Sequence, residues 1–451
     1  MRLMISLTGC VICLLLAGCG KTETPSTANS NESGTAASRG ASDPADVAGT
    51  LPETTHHSAP TSSGSAVPAV TASLSNPKEE SLPPDGGSAV ANSASQPDAP
   101  PAPGDEAMET LQKIQKLRLA PVPSDLEQAR AARRDRNLEI IDLATRVLAL
   151  TVEDTEKQAV FNQAISQLLE ARFQLALAGS KDDIDQLYAD VEALNDRDPE
   201  SVGAMEGVYY LAKFAHTKAR LQGGENTVWF ENFSRWAREF ADRFPDQSAR
   251  AVQLLFGAGR SCEMHSVVTD SADERTRLMT EAKLCYSALA EKWPDTSQGQ
   301  EAAGVLRRLA LPGQPLSQFS GPTLEGGYIS SDEFPGKITV IYFWESESEE
   351  FVTDLLPLLQ QANTKLSEQV RFVGVNLDEE EVALNDFLEK NSVPGRQIFF
   401  ASQEQRSWDS PLVRFWGVSK NPSVWIVKKD GVVSAVDVGH ATLVEEMRKL
   451  F

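Results

Sequence analysis

The stretch Ile338-Thr339-Val340-Ile341-Tyr342-Phe343-Trp344-Glu345-Ser346-Glu347-Ser348-Glu349-Glu350-Phe351 decides how the C-terminal part of this chain is read. Its first half is an unbroken β-branched and aromatic run, the pattern of a strand buried on both faces. Its second half turns abruptly to Glu and Ser. An apolar-periodic segment from Phe351 to Leu366 then predicts a helix. Glu347, Glu349 and Glu350 fall at the first turn expected for that helix, where the macrodipole favours carboxylates by ~0.3–1 kcal/mol each. Ser346 or Ser348 is placed to cap it.

Working outward, strand and helix signals alternate. Val370–Asn376 reads as a strand, Val382–Lys390 as a helix, Ile398–Ala401 as a short strand and Pro411–Trp416 as a short helix. Ser423–Lys428 and Val432–Val438 read as a hairpin around Lys429-Asp430-Gly431, and Leu443–Leu450 as a closing helix. This order predicts an α/β domain over residues 312–451.

The ordered motifs resemble the thioredoxin superfamily, in particular its TlpA-like and peroxiredoxin-like exported branch. Leu324-Glu325-Gly326-Gly327 sits at the family's early hairpin turn, and Phe334-Pro335-Gly336-Lys337 precedes its first long strand. Tyr342-Phe343-Trp344 matches the family's aromatic strand end. Gly417-Val418-Ser419-Lys420-Asn421-Pro422 matches the run ending in its cis-proline, and Lys429-Asp430-Gly431 its final hairpin. The resemblance implies a thioredoxin-like fold, with a groove for an extended peptide beside Pro422, Asn421 and Trp344.

One departure bears on chemistry. After the strand-end Trp the family has a short spacer and then Cys-x-x-Cys; here Ser348 stands at the first cysteine position and Phe351 at the second. Exchange chemistry needs a thiolate to attack a disulfide and a second thiol to resolve the mixed disulfide. Helix N-termini help by lowering a thiol's pKa. Serine and phenylalanine supply neither part. His440, the domain's one histidine, lies after the last expected strand, so no base is placed for a serine nucleophile. Glu345, Glu347 and Glu349 read as a solvated helix start rather than a metal site. The expectation is therefore no catalytic residue, no metal and no cofactor.

Upstream, residues 106–311 read as α-helical. Ser124-Asp125-Leu126-Glu127 is a start signal, followed by a long helix through Leu150. Val160, Ala164, Leu168 and Ala171 carry helical periodicity. Breakers recur at Thr151–Asp154, Asp196–Pro199, Phe244-Pro245-Asp246 and Trp293-Pro294-Asp295. Two segments are alike, Phe240-Ala241-Asp242-Arg243-Phe244-Pro245-Asp246-Gln247-Ser248 and Leu289-Ala290-Glu291-Lys292-Trp293-Pro294-Asp295-Thr296-Ser297. Each reads as a helix end, a Pro-Asp turn that caps the next helix, and an Ala-rich second helix. Ala282, Tyr286, Leu289, Pro294, Ala302 and Leu306 fall where tetratricopeptide-like repeats place packing residues. The spacing is longer than a strict repeat, so a helical repeat array and a plain irregular helical domain both stay open. Cys262 and Cys285 lie on either side of an expected helical hairpin turn, offset by ~13 Å along the axis. That exceeds the ~7 Å a disulfide spans between Cα atoms, and both are expected as buried free thiols.

Residues 20–105 are rich in Ser, Ala, Pro, Thr, Gly and Asp, a composition that cannot bury enough apolar surface to fold. They read as a disordered tether of ~50 Å r.m.s. span, with His56 and His57 solvated inside it. Residues 1–19 carry a charged start, a short apolar run and Leu16-Ala17-Gly18-Cys19. The run is shorter than a membrane span needs and fits a secretory signal. Its exit resembles a bacterial lipobox, which implies lipidation at Cys19 and removal of Cys10 and Cys13. Gly20 stands where many bacteria place the aspartate that retains a lipoprotein at the inner membrane, so the outer membrane is favoured.

The whole chain carries a formal net charge of −22, from 64 acidic and 42 basic residues. That argues against a nucleic-acid partner. The expectation is a periplasm-facing envelope lipoprotein, anchored to the bilayer through Cys19. It would act as an interaction module for a protein or peptide partner, with a redox-inactive thioredoxin-like domain. The alternatives are a thiol-disulfide oxidoreductase or antioxidant protein of the thioredoxin/TlpA class, and a purely structural envelope lipoprotein.

Overall fold

The computed structural model describes residues 105–224 and 226–451. The leader and lipobox expected at 1–19, with Cys19, and the tether expected from residue 20, with His56 and His57, lie outside the described residues but for Asp105. Among the described residues, no helix is long and apolar enough to cross a membrane.

The first half is a succession of helices. They are α1 (Glu106–Leu119), α2 (Leu126–Thr151), α3 (Gln158–Ala178), α4 (Lys181–Arg197), α5 (Val202–Gln222), α6 (Val228–Arg243), α7 (Ser248–Val268), α8 (Ala272–Lys292) and α9 (Ser297–Leu309). Short polar side chains start several of them by accepting orphan N–H groups. Asp105 caps α1 and Asp125 caps α2. Ser180, Ser201, Ser271 and Thr296 cap α4, α5, α8 and α9. Gly179, at φ +106°, ends α3 in the left-handed conformation.

Each helix packs on the next, and α3 also meets α5, as α6 meets α8. This sequential stacking builds two contiguous cores, one centred on α2–α4 and one on α6–α8. The two similar segments share one geometry. Phe244 and Trp293 have matching backbone conformations (φ −124°, ψ 57° and φ −133°, ψ 56°). They donate their N–H groups to Phe240 O and Leu289 O at 2.9 and 3.0 Å. The capping expectation fails, because neither Asp246 nor Asp295 caps: α7 starts without a side-chain cap, and Thr296 caps α9. Pro294, expected as a packing residue, is exposed in its turn, whereas Ala282, Tyr286, Leu289 and Ala302 are buried. Cys262 and Cys285 are free and buried in the same core.

The second half opens with a small antiparallel pair, β1 (Ser320–Pro322) and β2 (Tyr328–Ser330). A mixed five-stranded sheet follows, built from β3 (Ile338–Trp344), β4 (Val370–Asn376), β5 (Arg396–Ile398), β6 (Ser423–Val427) and β7 (Val433–Ala435) in the order β5-β4-β3-β6-β7. β3 runs parallel to β4 and antiparallel to β6. All seven residues of β3 are buried, because alternate side chains feed two cores. Ile341 and Phe343 join the core shared with Trp416 and Trp425; Val340, Tyr342 and Trp344 join the one beneath helices α10 (Leu356–Leu366), α11 (Glu381–Lys390) and α13 (His440–Arg448). Between them in sequence, α12 (Pro411–Trp416) packs on α9 and so ties the α/β domain to the helical array.

Several expected boundaries shift. β5 ends at Ile398 because Phe399 N–H turns away to bond Pro322 O at 3.1 Å. β7 is shorter than expected, beside a register shift at Ile426/Val427, and residues 313–315 pair along it through Gly313 N–H to Val433 O and Val433 N–H to Gln314 O. α13 begins at His440 rather than Leu443.

Candidate functional site

The site is the C-terminal end of β3, where the chain leaves the sheet. Pairing of Phe343 with Ser423 brings Trp344 opposite Pro422. The Asn421–Pro422 peptide bond is cis, and Pro422 is buried. Trp344, Ser348, Phe351, Asn421 and Pro422 therefore gather at one edge of the domain.

Ser348 is the cap. Its Oγ accepts the Phe351 N–H at 3.3 Å, and helix begins at Glu349. A π-helical turn over Phe351–Leu355 leads into α10. Glu347, expected in the first turn, instead lies in the turn before the cap. Ser346 does not cap: its N–H and Oγ both bond Asp378 Oδ1, at 2.9 and 3.0 Å. The second carboxylate oxygen of Asp378 accepts from Asn376 Nδ2 at 2.9 Å.

Phe351 points inward and is fully buried. Its ring stacks on Trp344 (centroids 4.5 Å, planes 26° apart) and lies near Tyr342 and Phe387. The Trp344 indole N–H donates to Gln397 Oε1 at 3.0 Å, and Gln397 Nε2 donates to Tyr342 Oη at 3.0 Å. The Tyr342 hydroxyl donates in turn to Pro394 O. A closed aromatic and hydrogen-bonded plug thus occupies the place where the resemblance puts a resolving thiol. His440 Nδ1 lies 3.2 Å from Glu350 Oε1.

The rim is acidic. Burial, and then the neighbouring Asp378, push the Glu345 carboxyl above its ordinary range, while a hydrogen bond from Asn421 pulls it back. Asn421 Oδ1 is buried without a partner. Lys420 donates to Asp437 O at 3.0 Å, and burial lowers its ammonium pKa.

Behind this loop stands Arg308, from α9, whose side chain is 1% exposed. It donates to Gly417 O at 3.0 Å, to Glu263 Oε1 at 2.6 Å and to Asp437 Oδ2. Asp437 also accepts from Ser423 Oγ at 2.6 Å. Gly304 and Gly417 meet so closely that a Cβ on Gly417, itself at φ +57°, would lie 2.2 Å from Val305 N. The helical array therefore holds both flanks of the cis-proline segment. Sequence reasoning missed Asp378, Gln397 and Arg308. Only Asp378 carried a signal, as a polar residue just past the C-terminal end of a parallel strand.

Residues 336–433 match the family model described as thioredoxin-like. The C-terminal domain is thioredoxin-like. Solved structures similar to this thioredoxin-like domain include the thioredoxin domain of a thiol-disulfide oxidoreductase from Bacteroides vulgatus, at 17% identity and TM-score 0.28, covering 31% of this chain and 96% of that one. A secreted disulfide oxidoreductase from Mycobacterium tuberculosis matches at 20% identity and TM-score 0.25, covering 30% and 96%. A thiol:disulfide interchange protein from Chlorobium tepidum matches at 21% identity and TM-score 0.26, covering 30% and 94%. No curated protein matches the chain. In the thioredoxin-like domain, neither position of the expected thiol pair is a cysteine.

Proposed function

We propose that this protein is a redox-inactive interaction module, tethered to the cell envelope through Cys19, whose thioredoxin-like domain engages a protein or peptide partner beside the cis-proline loop. The observation that carries the reading is Phe351, a fully buried aromatic side chain stacked on Trp344 where exchange chemistry needs a thiol. The two cysteines of the described residues support it, since both are enclosed in the helical core. Glu345, bonded to Asn421 and neighboured by Asp378 and Glu347, favours a basic partner segment.

Insulin reduction by the purified full chain tests the redox half, and robust turnover would overturn it. The interaction half is tested by crosslinking the tethered protein in its own envelope, with Asn421→Ala and Glu345→Gln as variants. A partner whose capture both variants weaken supports this site. Capture indifferent to both places the interaction elsewhere. The lipid anchor is read by acyl-chain mass on Cys19, which Cys19→Ser abolishes.

A further inference from the structure

A cleft of about 460 Å³ at one end of the helical array is lined by five guanidinium groups, those of Arg118, Arg130, Arg133, Arg134 and Arg136. No acidic side chain lines it. The concentration is local: residues 113–136 hold seven Lys and Arg against three Asp and Glu, in a chain whose net charge is −22. α2 sets the geometry. Arg130, Arg133, Arg134 and Asn137 recur at helical spacing and line one wall, while Ile140 and Leu175 supply apolar surface.

Three of the five arginines are committed within the fold. Arg118 is held by Gln167, Arg134 pairs with Asp183 at 2.7 Å, and Arg136 donates to the Arg118, Ala120 and Pro121 carbonyls. The other two are not. Arg130 has a one-turn pair with Glu127, with both side chains well exposed, a contact worth little in water. Arg133 has no hydrogen-bond or ion-pair partner among the described residues.

Exposed apolar residues flank these charges in the chain: Leu119 follows Arg118 at the end of α1, and Leu126 stands one turn before Arg130 on α2. Leu119 is 85% exposed, Leu126 60% and Val122 36%. Arg136 pins the loop that joins the two helices and carries Val122, through its bonds to the Ala120 and Pro121 carbonyls. A water-facing site for a free anion has no use for three exposed leucine- and valine-sized groups so near its arginines in the chain. A bilayer does, because headgroup phosphates meet the arginines while the apolar groups enter the interface. We propose that this end of the helical array is a docking surface for anionic phospholipid headgroups, with Arg130 and Arg133 as the phosphate-reading residues and Leu119, Val122 and Leu126 as the inserting edge. It is independent of any acyl chain on Cys19 and of the reading of the thioredoxin-like domain.

The test is vesicle sedimentation with the full chain carrying Cys19→Ser, which removes any acyl anchor. One vesicle is phosphatidylcholine alone; the other contains about a third phosphatidylglycerol, enough to give a negative surface. Binding to the anionic vesicle only is expected. It should weaken about five-fold in Arg133→Gln and about twenty-five-fold in Arg130→Gln/Arg133→Gln, from the worth of one basic residue near such a surface. Leu119→Ser/Leu126→Ser should weaken it while leaving its salt dependence. Equal binding to both vesicles, no binding, or binding untouched in the arginine pair overturns the proposal. So does saturable binding of inorganic phosphate without vesicle binding, which makes the cleft a small-anion site, or tighter binding of a polyglutamate probe than of vesicles, which makes the occupant an acidic protein.

Discussion

The ring of Phe351 stacks on the ring of Trp344 with centroids 4.5 Å apart, so the position that would hold a resolving thiol is part of the hydrophobic core. Truncating it should behave as a core mutation. Phe351→Ala is expected to cost about 3–5 kcal/mol, the range for removing a buried phenylalanine. Chemical denaturation reads this directly as a lowered midpoint with an unchanged slope. A loss below about 1 kcal/mol would mean that the ring is not packed as described.

The second prediction concerns the thiols. Burial pushes Cys285 up to about 12, and raises Cys262 as well. Cys285 Sγ also lies 3.1 Å from Ser234 Oγ. The nucleophile in exchange is the thiolate, and at neutral pH almost none is present at either site. Iodoacetamide should leave both cysteines unmodified in the native protein and label both after denaturation, with mass mapping of the peptides as the readout. Rapid native labelling of either would restore the oxidoreductase alternative.

How much of this was legible follows the range of the forces involved. β3 and β4 could be bounded from sequence because each is an apolar run of β-branched and aromatic residues broken only by Thr339 in β3 and by Arg371, Gly374 and the terminal Asn376 in β4, and the turn residues that end such a run are local. Ser348 and Phe351 could be located because the motifs on both sides fix their place in the chain. That Phe351 closes an aromatic plug could not, since Phe387 and Gln397 come from elements more than thirty residues away. Ser346 looked as good a cap as Ser348, and only Asp378, across the β3–β4 pair, decides between them. Arg308 was illegible for the same reason: an arginine near the end of an amphipathic helix reads as solvated, and nothing local says that Glu263, Gly417 and Asp437 converge on it.

That convergence gives the third prediction. Arg308 is buried between Glu263 and Asp437, and removing one partner of a buried ionic cluster strands the others. Arg308→Met should therefore destabilise the protein by about 3–5 kcal/mol. Replacing all three charges together, as Arg308→Met/Glu263→Gln/Asp437→Asn, should recover part of the loss. Because the cluster spans α7, α9 and the segment after β7, the single variant should also raise amide exchange around Gly417–Ser423. Unchanged exchange there would show that the array does not hold the loop.

His216 supplies the last prediction. It lies on α5 with its ring 4.8 Å from that of Phe233. Burial, helped by Arg220 one turn on, lowers its pKa from 6.5 to about 4. The folded state thus prefers the neutral imidazole, while the unfolded chain takes up a proton near pH 6.5. Between these two values the unfolded state binds more protons, so stability rises with pH across the window. The contribution is complete above pH 6.5 and is lost as pH falls toward 4, amounting to about 3 kcal/mol from one end to the other. Other groups titrate in the same range, so the comparison is with His216→Phe, which keeps an aromatic ring of similar size and cannot protonate. Unfolding free energies measured from pH 7.5 to pH 4 should separate toward the acid end, where the wild type has lost this term and the variant has not. Parallel curves would place the acid sensitivity of the helical array in other groups.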